Sequence, residues 1–377
     1  MDITPNRRPH SEVEPPFSAY LHARGSAMGI PLAGNFELTS RCNFHCKMCY
    51  VHDGEQACEL SAAEWIALGR EAVDRGMLFL LLTGGEPFLR PDFKEIYYAL
   101  HHMGLMISIN TNASLIDEET VAFLKQYPPL RLNISLYGDD EEAYRRLCGN
   151  PSAGKVKEVI RTLHEAELSI KINSSITPYN REEIEGIYRF GEELSIPVTA
   201  TAYMYPPVRI NDCHYGEAPA RFGPEEAGEA MLRCREQYLT REQLAAIAKG
   251  ILPDDPVCVS DEAEGEGMRC RAGRTSFWIT RDGRMLPCGM FPIEGWSVRE
   301  YGFDKAWEQV KAYTKSVVMP KECTDCPRKN RCTACAAACF AETGSTSVCP
   351  EYICRMTKRY DTLLTEKYGD TKERDEE

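Results

Sequence analysis

MLFLLLTGGEP, residues 77–87, joins a nearly unbroken apolar run to a turn of two glycines, an acid and a proline. A run so short and so continuously apolar reads as a strand buried on both faces, as in a parallel sheet covered by helices. Outward from it, strand-like and helix-period stretches alternate. Before it come NFELTS (35–40) and SAAEWIALGREAVDRG (61–76). After it come PDFKEIYYALHHMG (91–104), LMISINTN (105–112), DEETVAFLKQY (117–127), LRLNISLYG (130–138), AGKVKEVIRTLHEAE (153–167), LSIKINSSI (168–176), REEIEGIYRFGEEL (181–194) and IPVTATAYM (196–204). Six strands alternating with helices predict parallel pairing through right-handed crossovers. Residues 31–205 are therefore expected to form an α/β unit, a partial (βα)6 TIM-like barrel. Chemistry in such barrels collects at the C-terminal ends of the strands. TSRCN, TGGEP, NTN, SLYG and NSS all fall there.

Composition narrows the function. The chain has 377 residues, 57 acidic against 44 basic, and a formal charge of −13, which argues against binding to duplex nucleic acid. No apolar window of about 18 residues exists and the N-terminus lacks a signal-peptide layout, so no membrane attachment and a cytoplasmic location are expected. In a reducing compartment the 17 cysteines are poor disulfide candidates and point to metal or redox chemistry.

The rest of the chain divides by composition. Residues 1–30 form a Pro-rich N-terminal arm. Residues 206–265 read as a linker with a helical stretch near 225–250 and an acidic loop. A Cys-rich second domain, residues 266–360, includes TSFWITRDGRMLPCG (275–289), a hairpin turning at RDG. Residues 361–377 read as a solvated, charged tail.

RCNFHCKMCY, residues 41–50, places Cys42, Cys46 and Cys49 just past the first strand. On a helix the three thiols would share a face, as three buried small hydrophobes would, but the interleaved polar residues and the preceding strand end argue against that reading. A zinc site completed by His45, His52 or Cys58 is a second, although C-x3-C-x2-C suits structural zinc poorly. Thiolates also select iron–sulfur clusters, and a four-iron cluster on three cysteines leaves one iron open to a substrate or cofactor.

C-x3-C-x2-C after the first barrel strand, the aromatic Tyr50 behind it and GGEP after the second strand closely resemble the radical S-adenosylmethionine (radical SAM) superfamily, over residues 31–205. The resemblance implies that Cys42, Cys46 and Cys49 hold a [4Fe–4S] cluster whose open iron chelates SAM, and that one-electron cleavage yields a 5′-deoxyadenosyl radical. The cofactor does the hard step and the protein positions it. In this frame Gly84 and Gly85 permit close backbone approach, Glu86 accepts from the SAM ammonium and Pro87 fixes the exit. Ser108, Asn110, Ser135, Asn173 and Ser175 stand at strand ends where relatives contact the methionine carboxylate and ribose; each is also an ordinary turn former. Arg145, with Arg146, is a candidate for the carboxylate, with a solvated helix face as the alternative for both.

Further on stand Cys270, x12, Gly283, x4, Cys288, then Cys323, Cys326, Cys332, Cys335, Cys339, Cys349 and Cys354. A zinc ribbon accounts for the C-x2-C pairs. The order as a whole resembles the SPASM domain of radical SAM maturases, which implies two auxiliary [4Fe–4S] clusters. By that resemblance Cys323, Cys326, Cys332 and Cys354 hold the outer one, and Cys270, Cys288 and either Cys335 or Cys339 the inner one. Cys258 is a candidate fourth inner ligand. Cys58, Cys148, Cys213 and Cys234 match no motif and read as packing or surface thiols.

The architecture resembles sactisynthase and ranthipeptide maturases and anaerobic sulfatase-maturating enzymes. In the sulfatase maturases an Asp follows the second SPASM cysteine as the base; here Gly289 stands there, which disfavours formylglycine formation. The leading expectation is a thioether or C–C crosslink in a ribosomally made peptide, possibly Cys-containing, with flavodoxin or ferredoxin as reductant. A winged-helix leader-binding module needs on the order of a hundred residues and does not fit before Cys42, so a separate leader-binding protein or the 206–265 segment is expected to take that role. Dehydrogenation or epimerisation of a small molecule and a multi-cluster electron carrier are the alternatives.

Overall fold

The computed structural model describes residues 16–51, 58–207, 215–252, 254, 268 and 270–369. Helix α1 (Pro16–Met28) leads into β1 (Ala33–Glu37). The parallel series continues with β2 (Phe79–Thr83), β3 (Met106–Thr111), β4 (Arg131–Ser135), β5 (Ile170–Ser175) and β6 (Val198–Thr201). Helices α2 (Ala62–Asp74), α3 (Phe93–His101), α4 (Glu118–Gln126), the pair α5 (Glu141–Cys148) and α6 (Ala153–Glu165), and α7 (Ile184–Glu193) fill the crossovers. Helix starts are chemically marked. Ser61 and Glu64 form a reciprocal capping box at α2, and Asp117 and Asp140 cap α4 and α5.

The expectation of strands buried on both faces fails even for the apolar run: in β2 Leu80 and Leu82 are buried, whereas Phe79 and Leu81 are partly exposed. In β3, β4 and β5 burial alternates. Ile107, Ile109, Leu132, Ile134, Ile170 and Ile172 are buried. The intervening Ser108, Asn110, Asn133, Ser135, Asn173 and Ser175 are partly exposed. One face is thus core and the other a polar interior, the period-2 signature of a one-sided sheet. Each fully buried Leu or Ile contributes roughly 1.5–3 kcal/mol.

The hairpin β7 (Ser276–Ile279) and β8 (Arg284–Leu286) forms at the expected turn. It belongs to the barrel sheet, because β7 pairs in parallel with β1 and β9 (Trp296–Ser297) pairs with β8. The sheet order is β6-β5-β4-β3-β2-β1-β7-β8-β9, so β6 and β9 are its two edges and the barrel stays open between them.

Helices α8 (Pro224–Glu236) and α9 (Arg241–Ala248) follow β6; α10 (Val298–Ser316), α11 (Lys321–Thr324), α12 (Ala336–Thr343) and α13 (Glu351–Tyr368) follow the hairpin. The chain past residue 360 is not all solvated tail. α13 runs to Tyr368, and Tyr360, Leu364 and Tyr368 bury against Leu232, Leu244 and Ile247 of α8 and α9. Arg355–Glu225 (2.8 Å), Arg359–Glu229 (2.6 Å) and Lys367–Glu236 (2.6 Å) align α13 with α8. Exposed pairs add little stability; the apolar contacts do the holding. No helix of the described residues is long and apolar enough to cross a membrane.

Candidate functional site: a three-cysteine loop stitched to a glycine turn

The TGGEP turn leaves β2 and binds the segment that carries the cysteines. Gly85 N donates to Thr39 O (2.7 Å) and Glu86 N to Arg41 O (2.9 Å). Side chains could not fit this approach. A Cβ on Gly84, whose φ is +146°, would lie 2.4 Å from Thr39 O, and one on Gly85 would lie 2.3 Å from Arg41 O. Pro87 opens the short 3-10 helix Pro87–Leu89, with Glu86 as its cap.

Glu86 departs from its expected part. It is fully buried, and its carboxylate accepts from Phe88 N (3.1 Å), Thr111 Oγ1 (2.8 Å) and Asn112 N (2.7 Å). It ties the turn to the end of β3, and its oxygens are already engaged by protein donors. Burial outweighs these bonds and pushes the Glu86 carboxyl up to about 7. Such an acid holds a proton in the folded chain that the unfolded chain releases above pH ~4.3. Its stabilising contribution is therefore complete at low pH and falls as pH rises toward 7, by on the order of 3 kcal/mol. Glu86→Gln cannot titrate and is expected to flatten this slope, as well as placing an amide donor against Asn112 N at a cost of about 1–3 kcal/mol. Denaturant midpoints of iron-free protein across the pH ~5–8 window check this; identical slopes for both proteins would contradict it.

Asn112, within the NTN cluster but not singled out by sequence reasoning, carries the connection onward. Its Nδ2 donates to Cys42 Sγ (3.8 Å) and Asn43 Oδ1 (3.0 Å). Its Oδ1 accepts from Ser114 N (2.9 Å) and Ser114 Oγ (2.6 Å), and Ser114 Oγ accepts from Asn43 Nδ2 (2.8 Å). Arg90 was also missed. Nearly buried, it donates to Leu38 O (2.7 Å) and Leu60 O (3.1 Å) and pairs in bidentate fashion with Asp92 (2.8 and 2.7 Å). The only sequence signal for either was a polar residue close after a strand end.

Cys42, Cys46 and Cys49 lie on an irregular loop rather than a helix. The loop is zipped to the end of α5, with His45 N donating to Cys148 O (2.9 Å) and Lys47 N to Leu147 O (2.9 Å). Burial pushes Cys42 up to about 11 and Cys49 up to about 12, and each thiol opposes ionisation of its neighbours. Cys46 is raised chiefly by its contact with Cys148, then by burial. Cys148, expected to be ordinary packing, is thus a fourth thiol at the loop. Three thiols crowded where each resists ionisation suit a cationic centre that would hold them as thiolates. Among the described residues no three His, Cys, Asp or Glu side chains already converge as metal ligands; the backbone gathers the thiols without pre-aiming them. Of the candidates to complete a zinc site, His45 is exposed, Cys58 is exposed and receives Arg299 Nη1 (3.8 Å), and His52 lies outside the described residues.

The expected cofactor contacts share the polar interior face. Asn110 Nδ2 donates to Thr83 Oγ1 (3.4 Å) and Asn133 Nδ2 to Asn110 Oδ1 (2.9 Å), forming a ladder across β2, β3 and β4. Ser135 is paired in register with Asn173, and Ser108 and Ser175 lie on the same side by strand parity. Arg145 does not join them. It is exposed on α5 and pairs with Glu142 one turn away, so the solvated-face alternative describes it, and Arg146 is exposed beside it.

The C-terminal cysteines fall into two groups. Cys288 and Cys335 pack on one apolar cluster with Met268, Phe291 and Ala336. Tyr50 lies close to both Cys49 and Cys288, and burial first, then those thiols, keeps its hydroxyl protonated. Tyr205 is held protonated in the same way, by burial first and then by Cys335, Tyr203 and Cys288 among its neighbours. In the other group Cys332 accepts from Thr357 Oγ1 (3.4 Å) of α13 and is near Cys326 and Cys354. Cys349, given no part by the spacing, contacts Cys323 and Cys354. Cys339 is buried, with Cys335, Cys349 and Cys332 around it. Cys270 is exposed; Cys258 and Cys213 lie outside the described residues.

Gly289 is a glycine for a reason. A Cβ there would lie 2.8 Å from the Trp278 indole, whose Nε1 donates to the buried Glu37 (3.0 Å). Gly289→Asp is therefore expected to displace Trp278, to lose about 2–4 kcal/mol of stability and to gain no formylglycine-forming activity. An unchanged denaturation midpoint would contradict this packing.

Known proteins fit the geometry. The chain is 27% identical over 329 residues to the AdoMet-dependent heme synthase of Methanosarcina barkeri, covering 82% of this chain and 92% of that protein. Its fold matches Streptococcus suis SuiB bound to precursor peptide SuiA, with a TM-score of 0.65, 19% identity and coverage of 94% of this chain and 84% of that one. It also matches anSMEcpe with bound AdoMet and Cp18Cys peptide, with a TM-score of 0.68, 15% identity and coverage of 90% and 98%. Residues 36–191 match the radical SAM superfamily, a span from within β1 into α7 that takes in both the cysteine loop and the glycine turn. By that match residues 36–191 are a radical SAM domain, of the superfamily whose members bind a [4Fe–4S] cluster and S-adenosylmethionine.

Proposed function

We propose that the enzyme modifies a peptide, installing a thioether or C–C crosslink, with Cys42, Cys46 and Cys49 holding the initiating cluster and the C-terminal cysteines holding two auxiliary [4Fe–4S] clusters. The observation that carries this is the position of Cys288. β7 pairs with β1, and the loop after β8 brings Cys288 within electrostatic reach of Tyr50, the residue that follows Cys49. On this reading a centre that includes Cys288 lies within electrostatic reach of the initiating loop, where it can take a substrate thiolate or an electron. The open edge at β6, with Thr199 and Thr201 exposed, gives an extended chain lateral entry to the polar interior.

When bound, the cluster and SAM supply a one-electron reductive cleavage that yields a hydrogen-abstracting radical. The chain's own residues do the rest. The stitched GGEP turn fixes the loop backbone, Asn112 orients the Cys42 thiol, and the Thr83–Asn110–Asn133 ladder with Ser108, Ser135, Asn173 and Ser175 offers neutral hydrogen-bonding groups to the SAM ribose and carboxylate. Neutral groups orient a charged ligand without themselves needing a buried counter-charge. Flavodoxin or ferredoxin serves as the reductant, a separate protein or the 206–265 segment recognises the leader, and the work takes place in the cytoplasm.

A second proposed function, AdoMet-dependent synthesis of a heme, is favoured by the similarity to the heme synthase across most of both chains. The test is anaerobic incubation of reconstituted enzyme with SAM and dithionite, with a Cys-containing precursor peptide from the neighbouring gene in one arm and a heme precursor in the other. Loss of two hydrogens from the peptide supports crosslinking. A changed tetrapyrrole absorption spectrum with an untouched peptide would transfer the assignment to heme synthesis.

A further inference from the structure

The exit of β6 places two tyrosines between the barrel and the C-terminal cysteines. Tyr203 and Tyr205 pack edge to face, with ring centroids 4.8 Å apart. Tyr203 Oη donates to Glu342 Oε1 (2.8 Å), which also accepts from Arg221 Nη1 (2.8 Å). The Tyr205 hydroxyl takes no part in that triad and lies 3.7 Å from Cys335 Sγ. With Cys335 as a thiol, either the hydroxyl or the thiol can donate across that contact. A thiolate has no proton to give, so once Cys335 is ionised the tyrosine must be the donor.

We infer that Tyr205 is a positioning residue that donates a hydrogen bond to the Cys335 thiolate and so sets the reduction potential of the iron–sulfur centre that Cys335 shares with Cys288. This rests on the auxiliary-cluster part of the proposed function and goes beyond it. It also separates the two candidate cysteines. Cys335 sits with Cys288 on one apolar cluster, whereas Cys339, one helical turn later, is wholly buried and has Cys349 and Cys332 as well as Cys335 around it. A donor to a ligating sulfur draws electron density from it and favours the more negative reduced state, which raises the potential.

The test uses full-length, anaerobically reconstituted protein, measured for iron content and by potentiometric EPR titration. Tyr205→Phe is expected to keep its iron while one auxiliary centre shifts to a more negative midpoint. Tyr203→Phe removes a buried hydrogen bond of similar structural weight and is expected to leave that midpoint in place. Independently of either tyrosine variant folding, Cys335→Ala is expected to lose about four irons and Cys339→Ala to retain them. An unshifted midpoint in Tyr205→Phe, an equal shift in Tyr203→Phe, or iron loss in Cys339→Ala but not Cys335→Ala overturns the inference while leaving auxiliary clusters intact. Wild-type protein that binds only about four irons in total overturns the auxiliary clusters themselves, and this inference with them.

Discussion

Gly85→Ala is expected to yield a folded barrel that assembles little initiating cluster and binds SAM at least 100-fold more weakly. The added Cβ would meet backbone alone, with Arg41 O at 2.3 Å, Arg41 C at 2.6 Å and Ser40 O at 2.7 Å, so no side chain can swing aside. Relief requires opening the turn, which breaks the bonds from Gly85 N to Thr39 O and from Glu86 N to Arg41 O. Those bonds place the backbone immediately before Cys42. Overpacking against fixed backbone costs roughly 3 kcal/mol or more, and each 1.4 kcal/mol is tenfold in affinity. Iron analysis and equilibrium SAM binding measure it. Near-wild-type values would mean that the turn and the loop are not mechanically joined.

Cys42→Ala is expected to abolish SAM cleavage and to remove about four of roughly twelve irons, leaving the auxiliary centres loaded. Cys42 has no substitute. Its sulfur accepts from Phe44 N (3.4 Å) and Asn112 Nδ2 (3.8 Å), whereas the extra thiol at the loop, Cys148, lies against Cys46. Asn112→Ala keeps every ligand and loses only the donor, so it is expected to keep its iron with slower cleavage. Loss of all iron from Cys42→Ala would mean that the two ends of the molecule do not load independently.

Much of the fold was legible because its signals are local. MLFLLL announced a strand, though not that only one of its faces is buried; the period of each helix announced a crossover, and RDG announced the hairpin turn. The sheet's continuation was not legible. Asn35 Nδ2 to Phe277 O (2.8 Å) and Trp278 Nε1 to Glu37 (3.0 Å) join residues more than two hundred positions apart, and nothing in either short strand names its partner. The same limit hid the fates of single residues. Glu86 looked like a ligand group because an acid after two glycines is available in sequence; in three dimensions Thr111 and Asn112 reach it first. Arg145 stands on a helix face that points to solvent. The charged residues after 360 masked Leu364 and Tyr368, which form the buried stripe of α13. Cys148 and Cys349 lacked motif spacing, and only folding places them beside Cys46 and Cys323.

The central claim is that the loop of Cys42, Cys46 and Cys49, held by the glycine turn, initiates radical chemistry on SAM. The most direct measurement is 5′-deoxyadenosine formation by anaerobically reconstituted wild-type protein given SAM and dithionite, with iron content determined on the same sample. The nucleoside together with methionine is the predicted result. Fully iron-loaded protein that leaves SAM intact under reductant would contradict it.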